Sequence, residues 1–134
     1  MTAVRREQVE AEAAKRTVLI VEDEVLSRMV LAECLREHDL VVLEAATADE
    51  AIAILESPLP VDLVWTDVTM PGPVDGLGLA RIVRSKHPRL KIVVSSAYLH
   101  TLPSPDLADA FFSKPYAVTA VVRRVMGLLA ENRA

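Results

Sequence analysis

The chain has 134 residues, a length typical of one domain, and 51% of them are hydrophobic. The formal net charge of −4 argues against a nucleic-acid-binding face, which would need a basic excess. The single cysteine excludes a disulfide framework, and no apolar run reaches the length of a membrane span. We therefore expect a cytoplasmic domain that binds neither DNA nor a membrane.

Five short apolar runs, most of them rich in β-branched residues, predict strands that are buried on both faces. They span residues 18–21, 40–43, 61–65, 90–94 and 110–112. Segments of helical period separate them, which is typical of a parallel sheet with helices on both faces. We expect a doubly wound α/β fold in the flavodoxin-like order 2-1-3-4-5, with right-handed crossovers.

Apolar stripes locate the helices between these strands. The first stripe comprises Leu26, Met29, Val30 and Cys34. The next helix is predicted to begin at Thr47, which stands at capping-box spacing from Glu50. The remaining stripes are Ala48, Ala51, Ile52 and Leu55; Leu79, Ala80 and Val83; and Val118, Val121, Val122, Val125 and Leu129. We assign residues 17–131 to the domain and residues 1–16 to an N-terminal extension, frayed or helical.

Three acidic residues follow neighbouring strands of the expected sheet. Glu22 and Asp23 follow the first strand, and Asp67 follows the third. Ligands of such sheets bind beyond the carboxyl ends of the strands, so these carboxylates are expected to share one crevice. They repel one another unless they bind protons or a cation, and Mg²⁺ is the cation that best suits such oxygen ligands.

Two further polar residues end the fourth and fifth strands. Ser96 and Lys114 are therefore expected at the same edge of the sheet. Three carboxylates, one lysine and one Mg²⁺ sum to zero charge, so the site could accept a phosphoryl group. Aspartate is a covalent phosphoryl acceptor, and an ammonium group and a hydroxyl suit the phosphoryl oxygens.

With these motifs in place, residues 17–130 resemble the receiver domain of two-component response regulators. The resemblance rests on four motifs in the right order on the right elements. These are Glu22-Asp23, the Asp-x-x-Met-Pro-Gly run at 67–72, Ser96-Ala97 and Lys114-Pro115.

The resemblance implies a role for each matching position. Asp67 would be the phosphorylation site, and Lys114 would bind a phosphoryl oxygen, with a cis bond to Pro115. Asp23 would bind Mg²⁺ directly and Glu22 through water. Asp67 itself and the backbone carbonyl of Thr69 would complete the protein ligands of the metal.

The same resemblance implies a switch and two positions that tune the phosphoryl lifetime. Ser96 would be the switch hydroxyl, and Phe111 the switch aromatic. Phe112 would take the role of Phe111 if the strand register slipped by one residue. Thr69 and Tyr98 would fall at the lifetime-tuning positions.

Two features depart from the common pattern of the family. The loop after Asp67 is about one residue longer than usual, as in receivers that accompany histidine kinases of the HWE class. Ser96 and Lys114 are 18 positions apart, about four fewer than usual, or roughly one helical turn. Pro103 and Pro105 also disfavour a helix there. We expect the fourth helix to be short, distorted or mobile, so the usual dimer geometry of the family is not carried over to this chain.

The favoured function is a single-domain response regulator that receives a phosphoryl group from a histidine kinase or a phosphotransfer protein. It would act as a phosphate sink or bind a protein target when phosphorylated, and it would catalyse only its own phosphorylation and dephosphorylation. A pseudo-receiver that acts only through protein contacts is the alternative. A haloacid-dehalogenase-like phosphatase is disfavoured, because that class carries its nucleophile on the first strand with a second aspartate two residues on.

Overall fold

The computed structural model describes residue 3 and residues 15–131 of the chain. The predicted extension, residues 1–16, therefore lies almost entirely outside the described residues. The strands are β1 (Thr17–Val21), β2 (Val41–Ala45), β3 (Leu63–Asp67), β4 (Lys91–Ser96) and β5 (Ala110–Ser113). The α-helices are α1 (Val25–Arg36), α2 (Ala48–Glu56), α3 (Gly76–Lys86) and α4 (Val118–Glu131).

All strands are parallel, in the order β2-β1-β3-β4-β5. Residues from α1 and α4 pack with Trp65 in one core cluster, whereas residues from α2 and α3 pack with Val64 in the other. The doubly wound α/β fold is thereby confirmed. All strands run in the same direction, so their carboxyl ends lie along one edge of the sheet.

The stripes predicted for the later helices are confirmed. Ala48 and Ala51 of α2 are buried, as are Leu79, Ala80 and Val83 of α3 and four residues of the α4 stripe. The Thr47 hydroxyl accepts a hydrogen bond from the Glu50 amide at 3.1 Å, which fixes the start of α2. The Glu50 carboxylate accepts from the Ala46 amide at 2.8 Å, one residue before the usual capping-box partner.

The stripe predicted for the first helix is wrong. Leu26, Met29 and Val30 are 62%, 54% and 50% exposed, and only Cys34 packs against the core. The residues that α1 buries are Leu31, Ala32 and Leu35. Because α1 is apolar on two sides, periodicity alone could not decide which side faces the sheet.

The segment between β4 and β5, residues 97–109, contains no α-helix. A single 3₁₀ turn (Pro105–Leu107), with proline at its first position, stands where the sequence predicted a helix between β4 and β5. The prediction of a short or distorted helix is confirmed. Arg84 of α3 holds this segment by donating to the Asp106 carbonyl at 3.1 Å and by pairing with Asp109 at 3.1 Å.

No helix among the described residues is both long enough and apolar enough to cross a membrane.

Candidate functional site

The predicted acidic residues meet at the carboxyl edge of the sheet. Asp67 is the last residue of β3, and Glu22 follows β1, where its amide donates to the Ala45 carbonyl at 3.0 Å. Glu22, Asp23 and Asp67 each offer a carboxylate oxygen within 4.8 Å of the other two. The strand register has thus brought the three carboxylates into one group, as the sequence predicted.

Lys114, which follows β5, contacts two of these carboxylates. Its ammonium lies 3.3 Å from Asp67 Oδ2 and 3.4 Å from Glu22 Oε2. The predicted cis bond between Lys114 and Pro115 is present. We call Glu22, Asp23, Asp67 and Lys114 the acidic site.

The members of the acidic site differ in burial. Glu22 is 3% exposed and Asp67 7%, whereas Asp23 is exposed. Arg28 donates to the Glu22 carbonyl at 2.7 Å, and the Glu24 amide donates to the Glu22 carboxylate at 3.3 Å. Glu22 is therefore held from its backbone and its side chain, while Asp23 faces solvent.

Burial is the main cause that raises the pKa of Glu22 and of Asp67. The charge of Asp67 raises the pKa of Glu22 further, and Lys114 partly offsets the rise in both carboxyls. Burial acts to lower the pKa of Lys114, but Asp67 and Glu22 outweigh it, so that pKa is raised. Lys114 thus stays protonated. Its single positive charge does not fully offset the effect of burial on the two carboxyl groups.

The donor set of the acidic site fits Mg²⁺. All the candidate side-chain ligands are carboxylate oxygens, which Mg²⁺ prefers, and it binds through few protein ligands while keeping several waters. The exposed position of Asp23 leaves the group open to solvent on one side. A bound cation would also relieve the repulsion that raises the pKa of Glu22.

Ser96 ends β4 and is 1% exposed. Its hydroxyl accepts hydrogen bonds from the Tyr98 amide at 3.1 Å and the Leu99 amide at 3.0 Å. The candidate switch hydroxyl is therefore bonded to the start of segment 97–109.

The two phenylalanines of β5 lie on opposite faces of the sheet. Phe111 pairs with Val94 and packs in the core beside α3, on the face from which Ser96 also projects. Phe112 packs against Trp65 on the other face, with ring centroids 5.9 Å apart. The register thus puts Phe111, not Phe112, on the same face as Ser96.

The two predicted lifetime-tuning positions are both open to solvent. Thr69 lies exposed in the loop after β3, and Tyr98 is 79% exposed in the segment after β4. Each lies two residues beyond a strand end that contributes to the site, Asp67 in one case and Ser96 in the other.

Gly76 is a structural determinant of the site that the sequence reasoning missed. A Cβ at this first residue of α3 would lie 1.8 Å from the carbonyl oxygen of Asp67. The Gly76 amide donates to the Val68 carbonyl at 2.9 Å. Only glycine permits this approach, which seats α3 directly against the end of β3. The signal was the Asp75-Gly76 pair, since Asp75 caps α3 through the Gly78 amide at 2.8 Å.

Tyr116 was also missed. It packs edge-on against Trp65, with ring centroids 5.4 Å apart and an interplanar angle of 73°. Burial raises the pKa of its phenol, and the carboxylates of Glu22 and Asp67 raise it further, whereas Lys114 acts to lower it. Tyr116 therefore interacts electrostatically with the acidic site and packs against Trp65 in the core.

An apolar groove of about 610 Å³ borders the acidic site. Leu26 and Val30 of α1 line one side, and Tyr116 and Val118 line the other. Lys114 also lines the groove, so it leads to the acidic site. The exposed apolar side of α1 therefore forms one wall of this groove.

The fold and the acidic site together define a phosphoacceptor type of signalling domain. The family model of the response regulator receiver domain matches residues 18–125. The chain therefore belongs to the response regulator receiver family.

Individual relatives agree with this assignment. The chain is 36% identical over 121 residues to the sensor kinase CckA of Brucella abortus, with 87% of this chain and 13% of that protein aligned. It is 38% identical over 119 residues to the transcriptional regulatory protein PdtaR of Mycobacterium tuberculosis, with 82% of this chain and 55% of that protein aligned. The chain thus spans about half or less of the length of these two relatives.

Solved structures agree as well. The response regulator TrrA of Thermotoga maritima, in complex with Mg²⁺ and BeF, is 30% identical with a TM-score of 0.77, covering 84% of this chain and 98% of that one. The non-phosphorylated HemR receiver domain of Leptospira biflexa is 27% identical with a TM-score of 0.79, covering 90% and 98%.

Proposed function

We propose that Asp67 of this receiver domain accepts a phosphoryl group from a histidine kinase or a phosphotransfer protein. Glu22, Asp23, Asp67 and the Thr69 carbonyl would hold Mg²⁺, which supplies positive charge to the incoming group. Lys114 and Ser96 bind phosphoryl oxygens. Ser96 and Phe111 then carry the change to segment 97–109, while Thr69 and Tyr98 govern the access of water to the phosphoryl group.

The contact of Lys114 with both Asp67 and Glu22 is the observation that carries this proposal. It puts a cation beside a buried carboxylate at an open sheet edge. In the proposed reaction Asp67 is the nucleophile, and the Lys114 ammonium beside it can neutralise phosphoryl charge as it develops.

Neither alternative is favoured by a specific observation. A pseudo-receiver needs no nucleophile beside a lysine, whereas Asp67 and Lys114 are in contact at 3.3 Å. A haloacid-dehalogenase-like enzyme carries its nucleophile on the first strand, whereas Asp67 ends β3 and Thr69 occupies the second position after it.

The apolar groove favours a protein as the phosphoryl donor. A small phosphate ester needs no apolar surface, but a helical protein that presents a phosphohistidine could bury Leu26 and Val30 in the groove. Because Lys114 also lines the groove, a donor bound there would be near Asp67. We propose that the donor, of the HWE class or another, docks on this groove.

The decisive test is a set of amide NMR spectra of the full chain, first alone, then with Mg²⁺, then with Mg²⁺ and beryllofluoride, a phosphoryl mimic. We expect Mg²⁺ to shift signals around Glu22 and Asp67. The mimic should then shift Ser96, Phe111 and segment 97–109. Asp67→Asn is the matched control and should not respond to the mimic. Spectra that neither addition changes would favour the pseudo-receiver.

Docking on the groove is tested by Val30→Asp, which places a charge in the exposed apolar wall. It should slow phosphoryl transfer from a phosphorylated histidine kinase and leave phosphorylation by acetyl phosphate unchanged. Leu59→Asp is the matched control, since Leu59 is similarly exposed, at 52%, but does not line the groove. Equal transfer to both variants would refute the docking site.

The output is tested by comparing proteins captured by the beryllofluoride-loaded chain with those captured by the Asp67→Asn variant. An effector gains a partner on loading. A phosphate sink gains none.

A further inference from the structure

Asp23 is the least supported member of the acidic site. It is exposed, whereas Glu22 and Asp67 are buried. Within the part of the chain that the structure describes, Asp23 makes no hydrogen bond or ion pair of its own. Its carboxylate nevertheless lies within 4.8 Å of those of Glu22 and Asp67. The position of this carboxylate therefore depends on the backbone that carries it.

The peptide group between Glu22 and Asp23 is held by a side chain of α1. Arg28, at the end of the first turn of this helix, donates from Nη1 to the Glu22 carbonyl at 2.7 Å. The carbonyl and the Asp23 Cα belong to one planar peptide unit. Because the Glu22 amide is already bonded to the Ala45 carbonyl at 3.0 Å, the contact with Arg28 fixes the ψ torsion of Glu22. That torsion sets the position of Asp23.

Arg28 is itself held in place. Its Nε donates to Glu44 Oε1 on β2 at 3.2 Å, so the planar guanidinium spans two acceptors. The other oxygen of Glu44 accepts from Arg36 Nη2 at 3.2 Å, and Arg36 also donates to the Val42 carbonyl at 3.0 Å. Both arginines thus bond the Glu44 carboxylate and one backbone carbonyl. They differ in which carbonyl they hold.

The charge of Arg28 would not help a metal to bind. A positive charge beside the acidic site repels Mg²⁺, and the ion pair with Glu44 offsets that repulsion. What the guanidinium gives the acidic site is therefore geometry. Partners that lie outside the metal ligands often contribute in this way, by fixing the direction of a ligand.

We propose that Arg28 is a positioning residue that holds the Glu22–Asp23 peptide so that the Asp23 carboxylate stays beside those of Glu22 and Asp67, ready to bind Mg²⁺. Arg28 acts through the peptide group and does not touch the metal. The inference rests on the proposed function, because it deepens the account of the same site.

The test compares the Mg²⁺ dissociation constants of Arg28→Met and Arg36→Met in the full chain, measured from amide NMR shifts at constant ionic strength. Each variant loses one positive charge, one bond to Glu44 and one bond to a backbone carbonyl, but only Arg28→Met releases the Glu22 carbonyl. We expect the constant to rise about tenfold in Arg28→Met, the lower end of the usual effect of such partners. Arg36→Met should keep the natural constant or bind slightly more tightly, because the loss of a cation favours Mg²⁺.

Two further measurements separate positioning from a general loss of structure. Phosphorylation by acetyl phosphate, followed by intact mass, should need about tenfold more Mg²⁺ for half of the plateau rate in Arg28→Met. The plateau itself should match that of the natural chain, because saturating metal overcomes the weaker site. Urea unfolding without Mg²⁺ should show similar losses in the two variants, since they lose matching contacts.

Three results would overturn the inference. One is a natural Mg²⁺ dissociation constant in Arg28→Met, and another is an equal rise in Arg36→Met. The third is a plateau rate that stays low at saturating Mg²⁺, since the defect would then lie outside the metal site. If Arg28→Met does not fold, Arg28→Lys replaces it. Its ammonium cannot span both acceptors as the guanidinium does, so its constant should still rise, and an unchanged constant would refute the role of Arg28.

Failure of the proposed function looks different in the same experiment. A natural chain that neither binds Mg²⁺ nor gains a phosphoryl group removes both proposals. A natural chain that binds Mg²⁺ and reacts, beside an Arg28→Met variant that binds the metal equally well, removes only the role of Arg28.

Discussion

The acidic site and segment 97–109 are neighbours at one edge of the sheet, but different interactions hold them. Asp67 is fixed by the ladders of a central strand and by the close approach of Gly76. Segment 97–109 is fixed by side chains that bond to backbone, chiefly those of Ser96 and Arg84. A site that must hold charges in place thus rests on the most stable part of the fold, while the segment that can respond rests on bonds that single side chains can release.

The largest effect is expected from Gly76→Ala, which disturbs the junction of β3 and α3 that supports the acidic site. The added Cβ would collide with the Asp67 carbonyl, so backbone must move, and stability should fall by about 3 kcal/mol. Urea unfolding measures the loss. Gly127→Ala is the matched control, because nothing lies within 4 Å of a Cβ there. It should stabilise α4 by about 0.5–1 kcal/mol. Equal effects at the two glycines would show that Gly76 does not seat α3 against β3.

The next largest effect is expected from Mg²⁺ binding to the acidic site. At a concentration one hundred times its dissociation constant, Mg²⁺ should stabilise the folded chain by about 2.7 kcal/mol, because it binds only the folded state. Thermal unfolding with and without the metal measures this gain. The stabilisation should be much reduced in Asp67→Asn. An equal gain in that variant would place the metal elsewhere.

A smaller effect on stability follows from the raised pKa of Asp67. The folded state binds the proton of this carboxyl more tightly than the unfolded state does. The ionised form therefore lowers stability at neutral pH, and this penalty disappears as the pH falls through the raised pKa towards the ordinary value of 3.8. Without Mg²⁺, Asp67→Asn should be more stable than the natural chain at pH 7 and lose that advantage near pH 4. Urea unfolding at several pH values measures it, and an advantage that grew towards pH 4 would contradict the sign.

The smallest effect is expected in segment 97–109. Arg84→Met removes the contacts with Asp106 and Asp109, and stability should fall by about 1 kcal/mol because the arginine is partly exposed. Amide exchange of residues 104–109 should become faster. Arg81→Met, one turn earlier on α3, is the control. Slower phosphorylation of Asp67 in Arg84→Met would show that the two regions are more tightly coupled than we propose.

Once the flavodoxin-like strand order was taken as the leading candidate, the position of the acidic site could be predicted for a single physical reason. In a parallel sheet the carboxyl ends share an edge, so residues that follow buried runs must meet there. Glu22, Asp67 and Lys114 could therefore be brought together without coordinates. A separate argument predicted that the helix between β4 and β5 would be short, distorted or mobile, since Pro103 and Pro105 oppose a continuous helix there.

Other features could not be predicted, because they depend on distances between elements. The face that α1 buries was mistaken, as Leu26 and Leu31 are equally apolar in sequence but differ in exposure. The need for glycine at position 76 appears only when α3 is seated against β3.

Trp65 gives the chain an optical consequence. It is the single tryptophan, it lies two residues before Asp67, and it is 1% exposed. The Tyr116 ring stands edge-on to its indole. The phenol of Tyr116 interacts electrostatically with Glu22, Asp67 and Lys114. Excitation at the red edge of the absorption band, where the two tyrosines absorb little, therefore gives emission from one indole beside the acidic site. A change of charge there should alter its intensity while the buried indole keeps its blue-shifted emission, so the protein carries its own reporter for a titration or stopped-flow experiment.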